Sequence, residues 1–402
     1  MKKFLSIALI LVMSLGLLAG CAGEPATPSG GGSDADFKVG FIFLHDENST
    51  YDKNFMDAAS AAAKACGLTD DQVLFKTGID ESDACYNAAA ELVDEGCDLV
   101  FADSFGHESY MLQAAKEFTD VQFCHATGTM AHTEKVANFH NAFASIYEGR
   151  YLAGIAAGMK LNEMIEKGQI TADGAKIGYV GAFDYAEVVS GMTSFYLGAR
   201  SVCESATMSV TYTNSWFDIA LEKEAALSLI NDGCVLISQH ADSEGAPKAC
   251  EEKGVPNVAY NISTISMAPN TALISSKINW QPYMEMIINA TKDGTEIPFD
   301  YCPGIKDGAV ELTELNSAVA AAGTQEAIDA AKAELEAGTL HVFDTSKFTV
   351  NGETITSYMA DVDTDDAFTP DTEVVSDGYF HESEKRSAPY FDIKYIDGIT
   401  AK

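Results

Sequence analysis

The chain has 402 residues, of which 60 are acidic and 25 are basic, and its formal net charge is -35. This excess of acidic side chains excludes a nucleic-acid partner, because Lys and Arg supply the main attraction to phosphates. A hydrophobic content of 47% over this length indicates a globular protein with room for two domains of ordinary size.

The first twenty residues are predicted to be a secretory signal segment. Lys2 and Lys3 precede an apolar run over 4–18, which is too short and wrongly flanked for a stable transmembrane helix. The four residues that end at Cys21, Leu-Ala-Gly-Cys, resemble the bacterial lipobox, which implies removal of residues 1–20 and acylation of Cys21. The Gly- and Pro-containing stretch that completes 21–36 has no apolar period and is predicted to be a flexible tether.

Eight further cysteines follow: Cys66, Cys85, Cys97, Cys124, Cys203, Cys234, Cys250 and Cys302. No two of them form a Cys-x-x-Cys pair, and no Cys/His cluster has zinc spacing. Most lie at the ends of apolar runs, where cysteine behaves as a small buried hydrophobe. A location outside the cytoplasm permits disulfides, but we expect unpaired core cysteines in a chain of this length.

From residue 37 onward, short β-branched or aromatic runs alternate with helical periods. In the first half the predicted strands are 37–44, 73–76, 98–102 and 121–125, and the predicted helices are 57–66, 84–93 and 107–118. After a long Gly/Ala-rich helix over 147–165, the predicted strands are 176–181, 207–213, 235–239 and 258–260, and the helices are 187–202, 218–231 and 243–253. This alternation predicts an α/β protein with two doubly wound parallel sheets.

Ligands of open parallel sheets bind beyond the carboxyl ends of the strands. The loops at those ends are 44–48, 102–106, 125–128, 181–185, 214–218, 239–243 and 260–263. They are rich in aromatics, amides, hydroxyls and carboxylates, and they hold no lysine or arginine. We therefore expect a flat, neutral, hydrogen-bonding ligand rather than an anion.

Several stretches in fixed order resemble the basic membrane protein (PnrA-like) family, whose members are substrate-binding lipoproteins of ABC transporters for purine nucleosides or nucleobases. The stretches are Asn141–Phe143, Tyr147–Gly154, Lys176–Gly181, Asn214–Asp218 and the region from Gly294 onward. The closest subgroup looks like adenine binders, with Ser104-Phe105-Gly106, His125-Ala126-Thr127-Gly128, Gln239-His240 and Asn279-Trp280 in its pattern.

The resemblance covers 37–344 and implies the type I periplasmic-binding-protein fold, in which three crossing segments join two lobes. The implied N-terminal lobe is 37–143 plus 280–318, the C-terminal lobe is 144–279 plus 319–344, and an acidic extension over 345–402 follows. Closure about segments near Asn141, Ser276 and Asp307 would bury a purine and create a surface for an ABC permease. We expect a monomer on the extracytoplasmic face of the cell membrane, anchored through Cys21, with no cofactor and no metal.

The resemblance also implies a set of ligand-binding residues. Phe55 and Phe183 match aromatics that stack on the purine, Asp103, Ser104 and Asp242 offer edge hydrogen bonds, and the set is completed by Asn54, Phe105, Trp216, Asn261, Asn279 and Trp280. Alternatives remain open for several of them. Phe55 equally suits the apolar face of its helix, and Phe183 can also be a core residue. Asp103, Ser104 and Asp242 each precede a helix and suit N-caps, and Trp216 suits packing between the lobes.

Two positions depart from the nucleoside-binding pattern. Asn261 stands where those members carry an aspartate, and Asn279 stands where they carry a lysine, both on the ribose side. Asparagine lacks the charge that strengthens a hydroxyl contact. We therefore expect a preference for a free base such as adenine over its nucleoside.

Two other functions remain as alternatives: a sensor that presents its closed form to a signalling receptor, and a nucleoside-processing enzyme. The chain has no Gly-x-Ser-x-Gly, P-loop, Gly-x-Gly-x-x-Gly or His-Glu-x-x-His motif, so we expect binding rather than catalysis.

The last sixty residues carry no assigned function. The sequence predicts a helix over 325–338, a strand over 341–344, and a terminal strand or extended segment over 387–392 that packs on a lobe. The acidic run over 361–366 resembles a calcium loop, but it lacks the glycine at its sixth position and the closing glutamate, so we interpret it as a solvated loop.

Overall fold

The structure is a computed structural model that describes residues 36–362, 367 and 369–402. The predicted signal segment, Cys21 and nearly all of the tether lie outside the described residues, as does most of the acidic loop over 361–366. Within the described ranges, no helix combines the length and the apolarity needed to span a bilayer.

Helices and strands alternate through most of the described chain. The helices are α1 Thr50–Ala65, α2 Asp83–Asp94, α3 Glu108–Glu117, α4 Met130–Glu134, α5 Ile146–Glu166, α6 Ala186–Val202, α7 Ile219–Asn231, α8 Gly245–Lys253, α9 Gln281–Asp293 and α10 Thr324–Glu336. The strands are β1 Val39–Ile42, β2 Val73–Lys76, β3 Leu99–Ala102, β4 Gln122–Ala126, β5 Phe139–Ala142, β6 Lys176–Gly181, β7 Thr207–Tyr212, β8 Leu236–Gln239, β9 Asn257–Tyr260, β10 Ala272–Ile278, β11 Asp300–Tyr301, β12 Val310–Leu312, β13 Met359–Ala360, β14 Thr372–Glu373, β15 Val375–Ser376, β16 Tyr379–Phe380 and β17 Ile399–Ala401.

Two large sheets organise the molecule and confirm the predicted α/β class. The first lobe is built on a six-stranded parallel sheet in the order β11-β5-β4-β3-β1-β2. The second lobe is built on a seven-stranded sheet in the order β12-β10-β9-β8-β6-β7-β17, in which only β12 runs antiparallel to its neighbour. Central strands such as β1 and β3 are buried along their whole length, as expected when helices cover both faces.

The chain passes between the two sheets three times. It leaves the first sheet after β5 and enters α5, returns between β10 and α9, and crosses again between β11 and β12. α9 packs on α1 of the first lobe, whereas α10 packs on α5 of the second. The loops at the carboxyl ends of both sheets face each other, since side chains from both sets of loops line one cavity.

Helices α5 and α6 pack closely against each other in the second lobe. A Cβ atom placed on Gly154 would lie 2.0 Å from the Phe195 carbonyl oxygen, and one on Gly198 would lie 2.0 Å from the Tyr151 carbonyl oxygen. The two backbones therefore approach each other at positions where only glycine fits. This contact fixes α6, whose first turn reaches the cleft between the lobes.

Several predicted elements need correction. α1 begins at Thr50 rather than at residue 57, because the Ser49 side chain accepts a hydrogen bond from the Asp52 N–H and caps the helix there. Strands β5 and β10 and helix α9 were not predicted. The predicted strand over 341–344 is wrong, since only Asp344 forms an isolated bridge, to Tyr379.

The C-terminal extension contacts both lobes, since β17 pairs with β7 of the second sheet and the Ser387 N–H donates to Asp300 Oδ2 of β11 at 2.6 Å. Residues 387–392 form no strand but are largely buried, and Phe391 stacks on Phe343 with 4.4 Å between ring centroids. The terminal strand is instead β17, which adds to the edge of the second sheet beside β7. Lys394 forms an ion pair with Asp184, which lies in the loop after β6.

All eight cysteines of the described chain are unpaired. Six are buried and two are partly buried. Burial raises the pKa of the Cys97, Cys124 and Cys302 thiols to about 12, so these thiols stay protonated and unreactive at neutral pH.

Candidate functional site

A narrow cavity lies between the lobes at the carboxyl ends of the strands. Its accessible volume is about 20 Å³, which is about the space of one water molecule, so the two lobes are closed on each other here. Its lining residues are Leu44, His45, Tyr51, Asp52, Ser104, Phe105, Thr127, Glu187, Trp216, His240 and Asp242. They include no lysine and no arginine, so the walls offer no cation to an anionic ligand.

The two lobes touch around this cavity. The Thr50 N–H donates to the Asp242 carbonyl oxygen at 2.8 Å, which joins the start of α1 to the loop after β8. The ring centroids of Phe105 and Tyr185 are 5.6 Å apart across the same gap. The structure therefore has the geometry of a closed form.

Aromatic side chains form the wall of the second lobe. Phe183 stacks on Tyr185 with centroids 5.0 Å apart and an interplanar angle of 8°. Phe183 also meets Trp216 edge to face at 4.9 Å, so it supports the indole that lines the cavity. Such a wall suits a flat ligand that stacks on rings.

Two carboxyl groups lie on the first-lobe side, Asp52 in the cavity lining and Asp103 behind it, and their environments differ. Burial and the neighbouring Asp52 carboxylate hold the pKa of Asp103 well above its usual value. Asp52 receives hydrogen bonds from the Ser49 hydroxyl at 2.5 Å and from the His45 N–H at 2.7 Å. Burial alone would raise the pKa of Asp52, but these hydrogen bonds lower it below its usual value. The raised pKa favours the neutral form of Asp103, whereas the lowered pKa favours the ionised form of Asp52.

Asp242 is the matching carboxyl group of the second lobe. Burial and then the Glu222 carboxylate raise the pKa of Asp242 well above the usual value, which favours its protonated, neutral form. Its loop is held by Glu222, which accepts the Ser243 N–H with both oxygens at 3.1 Å. The Asp242 N–H in turn donates to the Trp216 carbonyl oxygen at 2.9 Å. A neutral carboxyl group both donates and accepts, as the edge of a heterocyclic base does.

The structure brings about half of the predicted site residues together. Ser104, Phe105, Trp216 and Asp242 line the cavity, while Asp103 and Phe183 lie directly behind the lining. The Asn261 amide donates to Asp242 Oδ1 at 3.3 Å. Neither Ser104 nor Asp242 forms a side-chain helix cap, and the Ser104 hydroxyl instead donates to Glu81 at 2.6 Å.

The other predicted residues lie elsewhere. Phe55 is fully buried and stacks on Trp280 with 4.4 Å between centroids, so each covers a face of the other in the first-lobe core. The Asn54 amide donates to the Ile278 carbonyl oxygen at 2.9 Å. Asn279 donates to Gly308 and Glu311 in an open groove beside the crossing segments.

Sequence reasoning missed six of the lining side chains as candidates: His45, Tyr51, Asp52, Thr127, Glu187 and His240. Tyr51, Asp52 and Glu187 belong to the first turns of the helices that follow β1 and β6. Extending the search from the strand-end loops into the next helical turn would have found these three. His45, Thr127 and His240 were already in those loops but had no stated role.

The metal and cofactor expectations remain predictions. Among the described residues, no group of three or more His, Cys, Asp or Glu side chains is arranged to hold a metal ion.

Comparison with known proteins identifies the family. Residues 42–338 match the family model Bmp, described as ABC transporter substrate-binding protein PnrA-like. A purine-binding protein of Brucella abortus is 33% identical over 289 residues, which are 70% of this chain and 77% of that protein. A putative ABC transporter glucose-binding protein of Haloferax volcanii is 33% identical over 217 residues, 54% of this chain and 52% of that protein.

A solved structure shares the fold. The solute-binding protein of an ABC transporter system from Conexibacter woesei superposes with a TM-score of 0.61 at 21% identity, covering 76% of this chain and 98% of that one. This likeness supports the type I periplasmic-binding fold, in which a ligand is held between two lobes. The family match over most of the chain decides the identity: this protein belongs to the Bmp family of extracytoplasmic ABC transporter substrate-binding proteins.

Proposed function

We propose that this protein captures a purine nucleobase, adenine or a close analogue, and delivers it to an ABC permease. The observation that carries the proposal is the narrow interlobe cavity, with Trp216 and Phe105 as ring surfaces and no cation in its lining. The raised pKa values of Asp103 and Asp242 favour neutral carboxyl groups, which can both donate to and accept from the edge of a base. The name of the Brucella relative supports the same ligand class.

A free base suits the cavity better than a nucleoside. The Asn261 amide is already engaged by Asp242, and Asn279 is engaged by Gly308 and Glu311 outside the cavity. Neither supplies a charged partner for ribose hydroxyls.

The adenine proposal is tested by calorimetric titration of ligand-free protein with adenine, adenosine and glucose. We expect adenine to bind at least about tenfold more tightly than adenosine, as the loss of one charged hydrogen bond of about 1.5–3 kcal/mol would produce. Glucose serves as the control, because the Haloferax relative is named for it. Tighter binding of adenosine than of adenine would contradict the preference, and binding of glucose alone would contradict the ligand class.

We also propose that acylated Cys21 anchors the protein to the membrane, with 22–36 as its tether. Replacing Cys21 by serine should move the protein from the membrane fraction to the soluble extracytoplasmic fraction, because acyl chains supply the anchoring energy. Fractionation followed by immunoblotting measures this, with Cys66→Ser as the control. An unchanged membrane fraction in Cys21→Ser would contradict the anchor.

A further inference from the structure

Arg150 is a buried cation that no carboxylate neutralises directly. It lies in the second turn of α5 and is 1% exposed. One guanidinium nitrogen donates to the Gln239 carbonyl oxygen at 2.9 Å, and the other terminal nitrogen lies 3.0 Å from Nδ1 of His240. The guanidinium carbon sits 3.4 Å from the ring centroid of Tyr260. Among the described residues, no acidic side chain lies within ion-pair distance of Arg150, although burying a charge is costly.

The contact with Arg150 fixes the tautomer of His240. A guanidinium group only donates hydrogen bonds, so Nδ1 of His240 has to accept. The proton of the neutral imidazole then lies on Nε2, which is 3.4 Å from Oε1 of Glu187. Arg150, His240 and Glu187 therefore form a series of hydrogen bonds from the core of the second lobe to the cavity, in which Arg150 donates to His240 and His240 donates to Glu187.

Glu187 is the member of this hydrogen-bond series that lies at the cavity. It lies in the first turn of α6 and lines the cavity, opposite Tyr51 of the first lobe. The positive end of the helix dipole favours a carboxylate at this place. Glu187 and Asp52 are acidic side chains of the cavity lining that can accept hydrogen bonds from a ligand, whereas the raised pKa of Asp242 favours its protonated form, which can donate.

α6 is shaped to admit this arrangement. A Cβ atom on Gly191 would lie 3.1 Å from His240 Nδ1 and 3.4 Å from Arg150 Nε. Glycine at 191 thus leaves the space in which guanidinium and imidazole meet. The contact is built by residues from α5, α6, β8 and β9 rather than by one flexible loop.

We propose that Arg150 is a positioning residue which, through the neutral imidazole of His240, holds Glu187 at the cavity to accept a hydrogen bond from an N–H group on the edge of a purine base. Glu187 is then a specificity-determining residue that favours ligands with an amino or ring N–H at that edge. The ligand class rests on the proposed function, whereas the Arg150–His240–Glu187 geometry does not.

The charge environment of His240 makes this arrangement insensitive to pH. Burial and then the Arg150 charge lower the pKa of His240 to about 4, and Glu187 opposes them. The other titratable groups around this cluster are Tyr179 of β6, Tyr260 of β9, Asp242 on the loop of His240 itself, and Tyr51 from α1. Because the lowered pKa favours the neutral ring, His240 stays unprotonated from pH 5.5 to 8, and protonates only below that range.

The first test needs no ligand. Nitrogen-15 NMR of histidine-labelled wild-type protein should show His240 as the Nε2–H tautomer, unchanged from pH 5.5 to 8. The signal is assigned with His240→Asn, which keeps an acceptor for Arg150. An Nδ1–H tautomer, or protonation of His240 above pH 5.5, would overturn the proposal.

The second test measures adenine binding. Glu187→Gln should weaken adenine binding by about ten- to a hundredfold, because it removes a charged acceptor. Arg150→Met should weaken adenine binding more at pH 5.5 than at pH 8. Without the Arg150 charge, His240 protonates more easily, and the imidazolium then pairs with the Glu187 carboxylate in competition with the ligand. Arg150→Lys keeps the positive charge, so its adenine affinity should again be independent of pH between 5.5 and 8. Arg200→Met is the control, because Arg200 lies over Tyr196 on α6 away from the cavity.

The outcomes separate the two proposals. If wild-type protein binds no purine, the proposed function fails and so does the ligand named for Glu187. The positioning proposal alone fails if adenine binds wild type and Glu187→Gln equally tightly. It also fails if the adenine affinity of Arg150→Met changes with pH in the same way as that of wild type. The NMR measurement decides the geometry even where Arg150→Met does not fold.

Discussion

Replacing Gly154 by alanine is expected to destabilise the folded protein by about 3 kcal/mol, because an added methyl group overpacks a close helix contact. The new Cβ would lie 2.0 Å from the Phe195 carbonyl oxygen, and backbone on α6 cannot move aside as a flexible side chain can. α5 and α6 would have to separate, which exposes the core that they share with the second sheet. Urea unfolding followed by circular dichroism measures the loss.

Gly174 provides a matched control. A Cβ at this position would have Thr171 Oγ1 as its nearest neighbour, at 3.4 Å, and Gly174→Ala should therefore be close to neutral. Gly198→Ala should reproduce the loss, since its Cβ would lie 2.0 Å from the Tyr151 carbonyl oxygen on the other helix. Equal stability of Gly154→Ala and Gly174→Ala would show that the α5–α6 approach is not as close as described.

Replacing Trp216 by alanine is expected to weaken adenine binding by about 5- to 150-fold, the equivalent of about 1–3 kcal/mol for one stacked base. Trp216 lines the cavity and is supported from behind by Phe183, so its ring surface is held in place for a ligand. Calorimetric titration of the variant against wild type measures the change. An unchanged affinity would remove Trp216 from the site.

The two tryptophans of the chain allow a fluorescence control. Trp280 is 2% exposed and stacks on Phe55 in the first-lobe core, away from the cavity. Adenine should therefore change the emission of wild type and of Trp280→Phe, but not that of Trp216→Phe. A ligand signal that disappears with Trp280 instead would place the ligand near the first-lobe core.

The sequence predicted the repeated elements well because their signal is local. Apolar runs such as β1 and β3 are buried on both faces, and their neighbours in the chain carry helical periods that end at glycine. Elements at the sheet edges and at the crossings between lobes were harder to predict from the sequence. β10 and α9 were not predicted, and the run at 341–344 looked like a strand although its residues find almost no ladder partner. A run of β-forming residues becomes a strand only when a sheet edge is available beside it.

The candidate site was only partly predictable for a related reason. Phe55 lies on the apolar face of α1, and the sequence left open whether that face meets ligand or core. The crossing segment after β10 decided it by placing Trp280 against the ring. Glu187 and His240 gained their importance from Arg150, which is distant in the chain but adjacent in space.

The sequence by itself determined the alternation of strands and helices, and the family to which the chain belongs. It also determined that the strand-end loops lack lysine and arginine. Each of these properties depends only on residue type and on spacing along the chain. The tertiary structure alone decided which aromatic rings face the cavity and where β17 adds to the second sheet. It also decided that the pKa values of Asp103 and Asp242 are raised, since burial and like charges from distant segments favour the neutral form of each carboxyl group. Those properties depend on which surfaces meet, and the pattern of a single segment contains no information about its partner.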